Sequence, residues 1–173
     1  TSATLSVGRL LGDLGTVQLG ATRRLLRGTP LVPETAGTGT LTSTETRRFV
    51  ELHLDTLEPL AFPTRGFLLQ GRYEREPSGS GDTKPLAQSS LLGLFAFRLN
   101  VWGGHVYAEW AKGRDGFSPL QLGGFLRLSG TPRNSINGTT VVFARAVFGR
   151  EVGQMPPGLG GAVRVGLSAE VGG

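Results

Sequence analysis

The sequence predicts an all-β protein, an antiparallel transmembrane β-barrel segment of about eight strands joined as a meander. Three observations lead to this fold class. Apolar and polar residues alternate with a period of two along most of the chain, whereas helical periodicity is weak. One face of this alternation is apolar, and the other carries many of the charged residues. Short and long connections succeed each other along the chain, as they do between the two rims of a membrane barrel.

Each strand is predicted from its own alternation of apolar and polar residues. Ala162–Val171 shows it most cleanly, because Val165 and Leu167 fall on one face while Arg164 and Glu170 fall on the other. The predicted strands, each about ten residues long, are Thr4–Leu10, Thr16–Arg24, Arg48–Leu57, Phe67–Glu74, Ala87–Leu99, His105–Ala111, Thr139–Phe148 and Ala162–Val171.

The connections between these strands differ in length. Short turns are predicted near residues 13, 62, 102 and 156, the third of them at Gly103-Gly104, and long loops over 28–46, 77–85 and 112–138. Aromatic residues near strand ends are typical of a girdle at the edge of a bilayer. The candidates for this girdle are Phe62, Phe67, Trp102 and Trp110.

Composition excludes several classes of protein. The 173 residues are enough for one domain, and only 18% are charged and 38% hydrophobic, which suits strands with one apolar face. Cysteine is absent, so disulfides and thiolate metal sites are impossible. The net charge is +5, but the 18 Lys and Arg residues are scattered and lack an interleaved aromatic platform. A nucleic-acid surface is therefore not predicted.

The ends of the chain suggest that it is a piece of a longer protein. It begins at Thr1 without a leader pattern and finishes on Val171-Gly172-Gly173, so we expect one barrel domain, 1–173, that is incomplete at both ends. No run of eighteen apolar residues occurs, so a transmembrane helix is not predicted.

The central loop, Leu122–Gly138, is the stretch around which the chain is organised. Its glycines and proline oppose regular strand or helix, yet it contains several apolar residues and one cation, Arg127, in its middle. We expect the loop to fold back into the interior and place the Arg127 guanidinium against a fixed partner. The alternatives are a loose surface loop and a glycine-rich hairpin.

The polar face carries charges that we expect to line a lumen: Glu51, Asp55, Arg72, Glu74, Arg98, Glu109, Arg145, Arg164 and Glu170. Arg145 and Arg164, with Glu51 and Glu109, are interpreted as one charge network; the alternative is separate solvated charges.

Chemistry at this face finds little support in the sequence. His53 and His105 share the polar face, but two histidines from distant strands make a poor ligand set. A nucleophile elbow is absent, because Gly166–Glu170 lacks the final glycine. No catalytic residue, metal or cofactor is predicted.

Several motifs resemble a known family of membrane barrels. LGGFLRLSG (Leu122–Gly130), followed by Asn137-Gly138 and TTVVFARAVFGRE (Thr139–Glu151), resembles the sixth outer loop and next strand of the bacterial surface antigen superfamily. FPTRG (Phe62–Gly66) and SAEVG (Ser168–Gly172) resemble further elements of it. These proteins are sixteen-strand barrels of the outer membrane, and include outer-membrane assembly and two-partner secretion proteins.

One subgroup is the most similar, namely the barrel that follows a patatin-like phospholipase domain. GRLLGDLG (Gly8–Gly15) and Asp55–Leu57, before FPTRG, resemble its motifs, as does the central loop. Two departures from the superfamily stand out. Arg127 is followed by Leu-Ser-Gly rather than by Gly and an aromatic residue, and the acid of the last motif is Glu170 rather than Asp.

The resemblance implies roles for particular residues. The loop motif would comprise Gly123, Gly124, Phe125, Arg127 and Gly130, and its arginine would meet an acid on the inner wall. Glu170, which points inward by alternation, is the expected partner. The alternatives are another inner-wall acid and a hydrated Arg127. The chain would hold roughly strands six to thirteen of sixteen, and eight such strands would form an open, curved sheet with two unpaired edges.

The resemblance also implies the function. The chain would anchor or export an attached patatin-like phospholipase, a lipid acyl hydrolase whose chemistry lies in a domain outside this chain, which itself is not an enzyme. Expected partners are outer-membrane lipid and the protein's own periplasmic and patatin-like domains, in the bacterial outer membrane; monomer and homodimer stay open. The alternatives are a complete small eight-strand outer-membrane barrel and a soluble ligand-binding β-barrel.

Overall fold

The computed structural model describes residues 1–28, 41–58, 63–76, 86–114, 120–156 and 161–173. It contains ten β-strands and a 3₁₀ turn at Gly12–Leu14. The described residues form no helix that is long and apolar enough to cross a membrane. The strands are β1 (Ser2–Leu10), β2 (Gly15–Gly28), β3 (Leu41–Asp55), β4 (Gly66–Glu76), β5 (Leu86–Leu99), β6 (Trp102–Gly113), β7 (Leu120–Leu122), β8 (Ile136–Gly138), β9 (Thr140–Gln154) and β10 (Ala162–Gly172).

Eight of these strands form one antiparallel sheet in the order β1-β2-β3-β4-β5-β6-β9-β10, and β7 pairs with β8 in a separate hairpin. The predicted all-β class and the antiparallel eight-strand meander are confirmed. The sheet is open, with β1 and β10 at its edges, and is not closed into a barrel. An open sheet is what we expected for eight strands of a wider barrel, since closure would need partners for both edges.

The strand boundaries correct two predictions. β2 extends to Gly28 and β3 begins at Leu41, so the predicted loop over 28–46 is shorter. The turn between β5 and β6 lies at Asn100-Val101, and Gly103-Gly104 belongs to β6. Asn100 has a φ of 56°, a left-handed conformation that asparagine tolerates and that a two-residue hairpin turn requires. The glycine pair therefore misled the prediction.

The strands end at two rims. At the tight rim, β1, β3, β5 and β9 end and the next strands of the sheet begin; at the loop rim, β2, β4 and β6 end and β3, β5 and β9 begin. The predicted contrast between short and long connections holds except at 56–65, which is no shorter than 77–85. The end of this connection depends on Gly66, whose φ is +97° and whose added Cβ would collide with the Thr56 carbonyl oxygen.

The two faces of the sheet differ in chemistry. We call the face under the central loop the inner face and the opposite one the outer face. Large apolar side chains cover the outer face and are exposed, reaching 82% at Leu5 and 83% at Leu167. Charged residues that are directly paired across neighbouring strands, such as Glu51 with Arg72 and Glu151 with Arg164, occupy the inner face.

A small cluster of buried apolar residues lies between the central loop and the inner face. Leu122, Val141 and Phe143 are at most 1% exposed. The residues packed around them are Tyr107, Leu120, Leu128 and Ile136. The expectation of a uniformly polar inner face is thus wrong at this patch, where β6 and β9 offer apolar side chains to the loop.

Candidate functional site

The central loop begins and ends as a short hairpin on the inner face. β7 and β8 pair from Leu120–Gly138 to Leu122–Ile136, at the two ends of the loop. Leu122 is fully buried against Val141 and Phe143 of β9. Apolar burial therefore holds the base of the loop to the wall, and the glycine-rich hairpin considered from the sequence is correct for this base only.

The tip of the loop has an unusual backbone around Arg127. Leu126 and Leu128 have φ values of 61° and 77°, in the left-handed region that residues with a Cβ rarely adopt. Each such residue costs about 1–3 kcal/mol and persists only where surrounding contacts fix it. Main-chain hydrogen bonds from Arg127 N to Gly124 O (3.0 Å) and from Thr131 N to Leu128 O (3.0 Å) close the turns on both sides.

Arg127 meets an inner-wall acid, but Glu170 is not the one. Its Nε donates to Oε2 of Glu109 at 3.1 Å, and its Nη2 donates to Oε1 at 2.5 Å. Two parallel hydrogen bonds match the guanidinium fork to the carboxylate. The Glu109 side chain is 16% exposed and also accepts a hydrogen bond from Tyr107 Oη. The predicted Arg127–Glu170 pair is wrong, because Glu109 of β6 lies under the loop tip.

Glu170 binds the same loop two residues further on. Its Oε2 accepts a hydrogen bond from the Ser129 amide at 2.6 Å. Arg145, directly opposite Glu170 on β9, donates from Nη1 to the Leu126 carbonyl oxygen at 2.9 Å. Glu109, Arg145 and Glu170, on three neighbouring strands, thus hold Leu126, Arg127 and Ser129; we call these six residues the loop clamp.

The remaining residues of the loop motif have different environments. Gly123 and Gly124 have φ values of +120° and +114°, whereas Gly130 has open space where a Cβ would lie. Phe125 is 85% exposed. Gly123 is the most constrained of them, because a Cβ there would also collide with the Pro132 carbonyl oxygen.

Replacing Gly123 with alanine is expected to detach the tip of the loop from the wall, because the backbone must leave its positive φ and move away from Pro132. Limited proteolysis of the full-length protein should show faster cleavage within 123–131. Gly130→Ala is the matched control, since it adds the same methyl group into open space. Equal protease sensitivity of the two variants would contradict the expectation.

In the part of the chain that the structure describes, the other predicted lumen charges on the strands form two separate groups of three rather than one network. Arg72 lies between Glu51 and Glu74, with its guanidinium 4.2 Å from the centre of the Phe49 ring. Glu151 Oε2 forms ion pairs with Nη2 of Arg98 at 3.1 Å and with Nη2 of Arg164 at 3.6 Å.

Asp55 and the two histidines have local roles. Asp55 accepts a hydrogen bond from the Leu57 amide at 2.9 Å and so fixes the start of a turn. His53 Nδ1 lies 2.8 Å from Gln70 Nε2, and His105 is 7% exposed. No three His, Asp or Glu side chains in the described part of the chain converge as a ligand set for a metal ion.

A cavity of about 300 Å³ lies on the inner face beside the clamp. Its lining combines polar residues with Gly71, Leu91 and Leu92; the polar ones are Glu51, Gln70, Arg72, Ser90 and Glu109. Arg72 and Arg127 each have a carboxylate partner, so these two cations are neutralised in place. The arrangement is a wall of paired charges that positions a loop.

Sequence reasoning missed the apolar anchor of this site. Val141 and Phe143 have the same parity on β9 as Arg145, so they point inward with it. A signal was present, because the run TTVVFARAVF places apolar residues at both parities, which an ordinary lipid-facing strand does not need. No protein-family model and no curated protein matches the chain.

Proposed function

We propose that this chain is part of the wall of a membrane-spanning β-barrel in the bacterial outer membrane, with the central loop held inside it. One observation carries the proposal: the outer face of the sheet exposes a continuous set of large apolar side chains, while paired charges lie on the inner face. A soluble barrel would bury its apolar residues inside.

The size of the apolar face supports a lipid environment. Side chains such as Leu5, Val165 and Leu167 are between 65% and 83% exposed, on strands at both edges of the sheet. A soluble monomer rarely exposes a contiguous apolar patch of more than a few hundred Å². Contact with lipid hydrocarbon would remove the free-energy cost of exposing these apolar side chains to water. The backbone hydrogen bonds within the sheet are paired, as a lipid environment requires.

Aromatic residues of the outer face lie at two levels. Trp102 stacks on Phe148 near the tight rim, with ring centroids 5.1 Å apart, and Trp110 lies on the same strand near the loop rim. Trp102 and Trp110 are separated by about 26 Å along β6 at ~3.3 Å per residue. With the tilt usual in membrane barrels, this gives roughly 20 Å across the bilayer, close to the height of an apolar band.

The two unpaired edges support a wider wall. β1 and β10 each present a row of backbone donors and acceptors that, within a bilayer and away from water, further strands or another chain would have to satisfy. We propose that the wall continues to the sixteen strands that the sequence resemblance implies. In that proposal the barrel anchors or exports an attached patatin-like phospholipase domain, and the loop clamp is a structural device within the lumen.

Adjacent residues of β5 test the proposal. The chain has no cysteine, so Leu91→Cys and Ser90→Cys each introduce one thiol here. The Leu91 side chain is 48% exposed and has the parity of the outer face, whereas Ser90 is directly opposite Arg72 on the inner face. With bimane attached in the full-length protein, nitroxide-labelled acyl chains should quench the probe at 91 and spare it at 90.

Two outcomes would overturn the membrane assignment. Equal quenching at 90 and 91 would mean that the two faces see the same solvent. Release of the protein from membranes by alkaline washing without detergent would mean that the outer face is not in lipid. Expression level does not enter either readout.

A further inference from the structure

The two faces of the sheet differ in charge, because the inner face carries both acids and arginines whereas the charged side chains described on the outer face are of one sign. Among strand residues whose side chains the structure describes, every acid lies on the inner face: Glu45, Glu51, Asp55, Glu74, Glu76, Glu109, Glu151 and Glu170. The charged residues of the outer face in these strands are all cations: Arg9, Arg23, Arg48, Arg75, Lys112 and Arg150. A surface with one sign of charge fits a partner of the opposite sign.

Four of these cations lie near one level relative to the apolar band. On β3, β4 and β6, the outer-face residue that follows the band toward the loop rim is Arg or Lys, and on β2 Arg23 lies near this level, between Ala21 and Leu25 of the same face. We call these residues the basic belt: Arg23, Arg48, Arg75 and Lys112. Two of the preceding outer-face residues are Tyr73 and Trp110, whose amphipathic rings prefer the headgroup level of a bilayer. The belt therefore lies where the lipid headgroups of one leaflet would begin.

Two members of the belt face each other across a strand pair. Arg48 of β3 and Arg75 of β4 are directly opposed in the register, and both side chains are exposed. Like charges in that arrangement repel. Neither forms an ion pair with a described residue, whereas the adjacent inner-face Arg47 pairs with Glu45 at 2.8 Å and with Glu76 at 3.4 Å. An anion bound between Arg48 and Arg75 would relieve the repulsion.

We propose that the basic belt binds the phosphate groups of anionic lipid headgroups in the leaflet at the loop rim. The inference rests on the proposed function, because the belt meets headgroups only if the outer face is in a bilayer. Arginine guanidinium groups bind phosphate through paired hydrogen bonds, and a lysine adds a point charge. The aromatic rings one step below the belt hold the lipid's upper acyl segment beside the same strands.

The test measures lipid bound to the full-length protein in mixed micelles doped with diphosphorylated lipid A. Bound phosphorus is determined after capture of the protein and plotted against the lipid mole fraction. Replacing Arg48 and Arg75 together with glutamine should raise the half-saturating mole fraction by about 10- to 30-fold. The matched control, Arg9→Gln with Arg150→Gln, removes two outer-face arginines at the tight rim and should leave it unchanged. Arg48→Lys with Arg75→Lys keeps the charge and should recover most of the binding.

Three results would overturn the proposal. If the tight-rim control variant weakened lipid A binding as much as the Arg48 and Arg75 variant does, the binding would depend on net charge alone. Equal binding of lipid A without its phosphates would show that acyl chains alone act, and displacement of lipid A by inorganic phosphate at matched concentration would show a site for free phosphate instead. Failure of the proposed function is distinguishable, because the protein would then need no detergent at all. Circular dichroism of each variant checks that the β-sheet is retained.

Discussion

Replacing Phe143 with alanine is expected to release the central loop from the inner wall while leaving the strands paired. Phe143 is 1% exposed and packs on Leu122 of the loop and on Tyr107, with ring centroids 5.8 Å apart. Removing a buried phenylalanine costs about 3–5 kcal/mol. Local opening of the loop should then become more frequent by a factor on the order of 10²–10³. Amide hydrogen exchange across 120–138 measures this opening directly.

The neighbouring Val142→Ala is the control for this variant. Val142 points to the outer face and is 52% exposed, so its truncation removes contacts with surrounding solvent or lipid and none with the loop. We expect a change of about 0.5 kcal/mol or less. Unchanged exchange in the loop of Phe143→Ala would contradict the anchoring role. So would faster exchange spread equally over β6 and β9.

The second large effect is expected from Glu109→Gln, which should loosen the loop tip around Arg127. The substitution keeps the shape of the side chain but removes the charge that receives the guanidinium fork and the Tyr107 hydroxyl. Charge-assisted hydrogen bonds contribute about 1.5–3 kcal/mol, and the Arg127 side chain is 39% exposed, which weakens the pair through solvent screening. We therefore expect a loss of about 1–3 kcal/mol, seen as faster exchange at 125–131.

Comparison with Glu170→Gln separates the two acids of the clamp. Glu170 accepts a hydrogen bond from the Ser129 amide, and a glutamine oxygen can still accept it, so this variant should loosen the tip less than Glu109→Gln does. The reverse order would mean that Glu170 carries the anchoring charge. We expect both variants to keep the sheet intact, which unchanged hydrogen-exchange protection of the strand amides would show.

The strands were predictable because the two faces of each strand differ in chemistry, so that apolar and polar residues alternate with a period of two. Each of the eight sheet strands could be found from alternation, and the faces assigned to residues such as Val165, Glu51 and Glu170 agree with the register. Strand ends were less accurate, since the turn at Asn100-Val101 depends on the left-handed backbone of one asparagine and not on the glycine count.

The partner of Arg127 was not predictable from the same signal. The alternation of residues along the strands predicts that Glu109 and Glu170 both point inward. It does not predict which of the two acids lies beneath Arg127, because the central loop runs across several strands. That position is set by the packing of Leu122 on Val141 and Phe143, which aligns the loop tip over β6, β9 and β10. The family resemblance predicted that Arg127 meets an acid on the inner wall. Which acid it meets depends on how the loop packs on the strands, and that packing places Glu109 under Arg127.

The number of strands in the sheet is even, and this fixes how the sheet could be extended. β1 and β10 run in opposite directions, as the first and last strands of an eight-strand meander must. If whole hairpins extend the sheet until it closes, the first and last strands therefore pair antiparallel. With an odd number of strands, the first and last strands would run in the same direction and would have to pair parallel. Duplication of a hairpin could change the circumference of such a ring without altering the bonding pattern of any existing strand pair or moving a loop from one rim to the other.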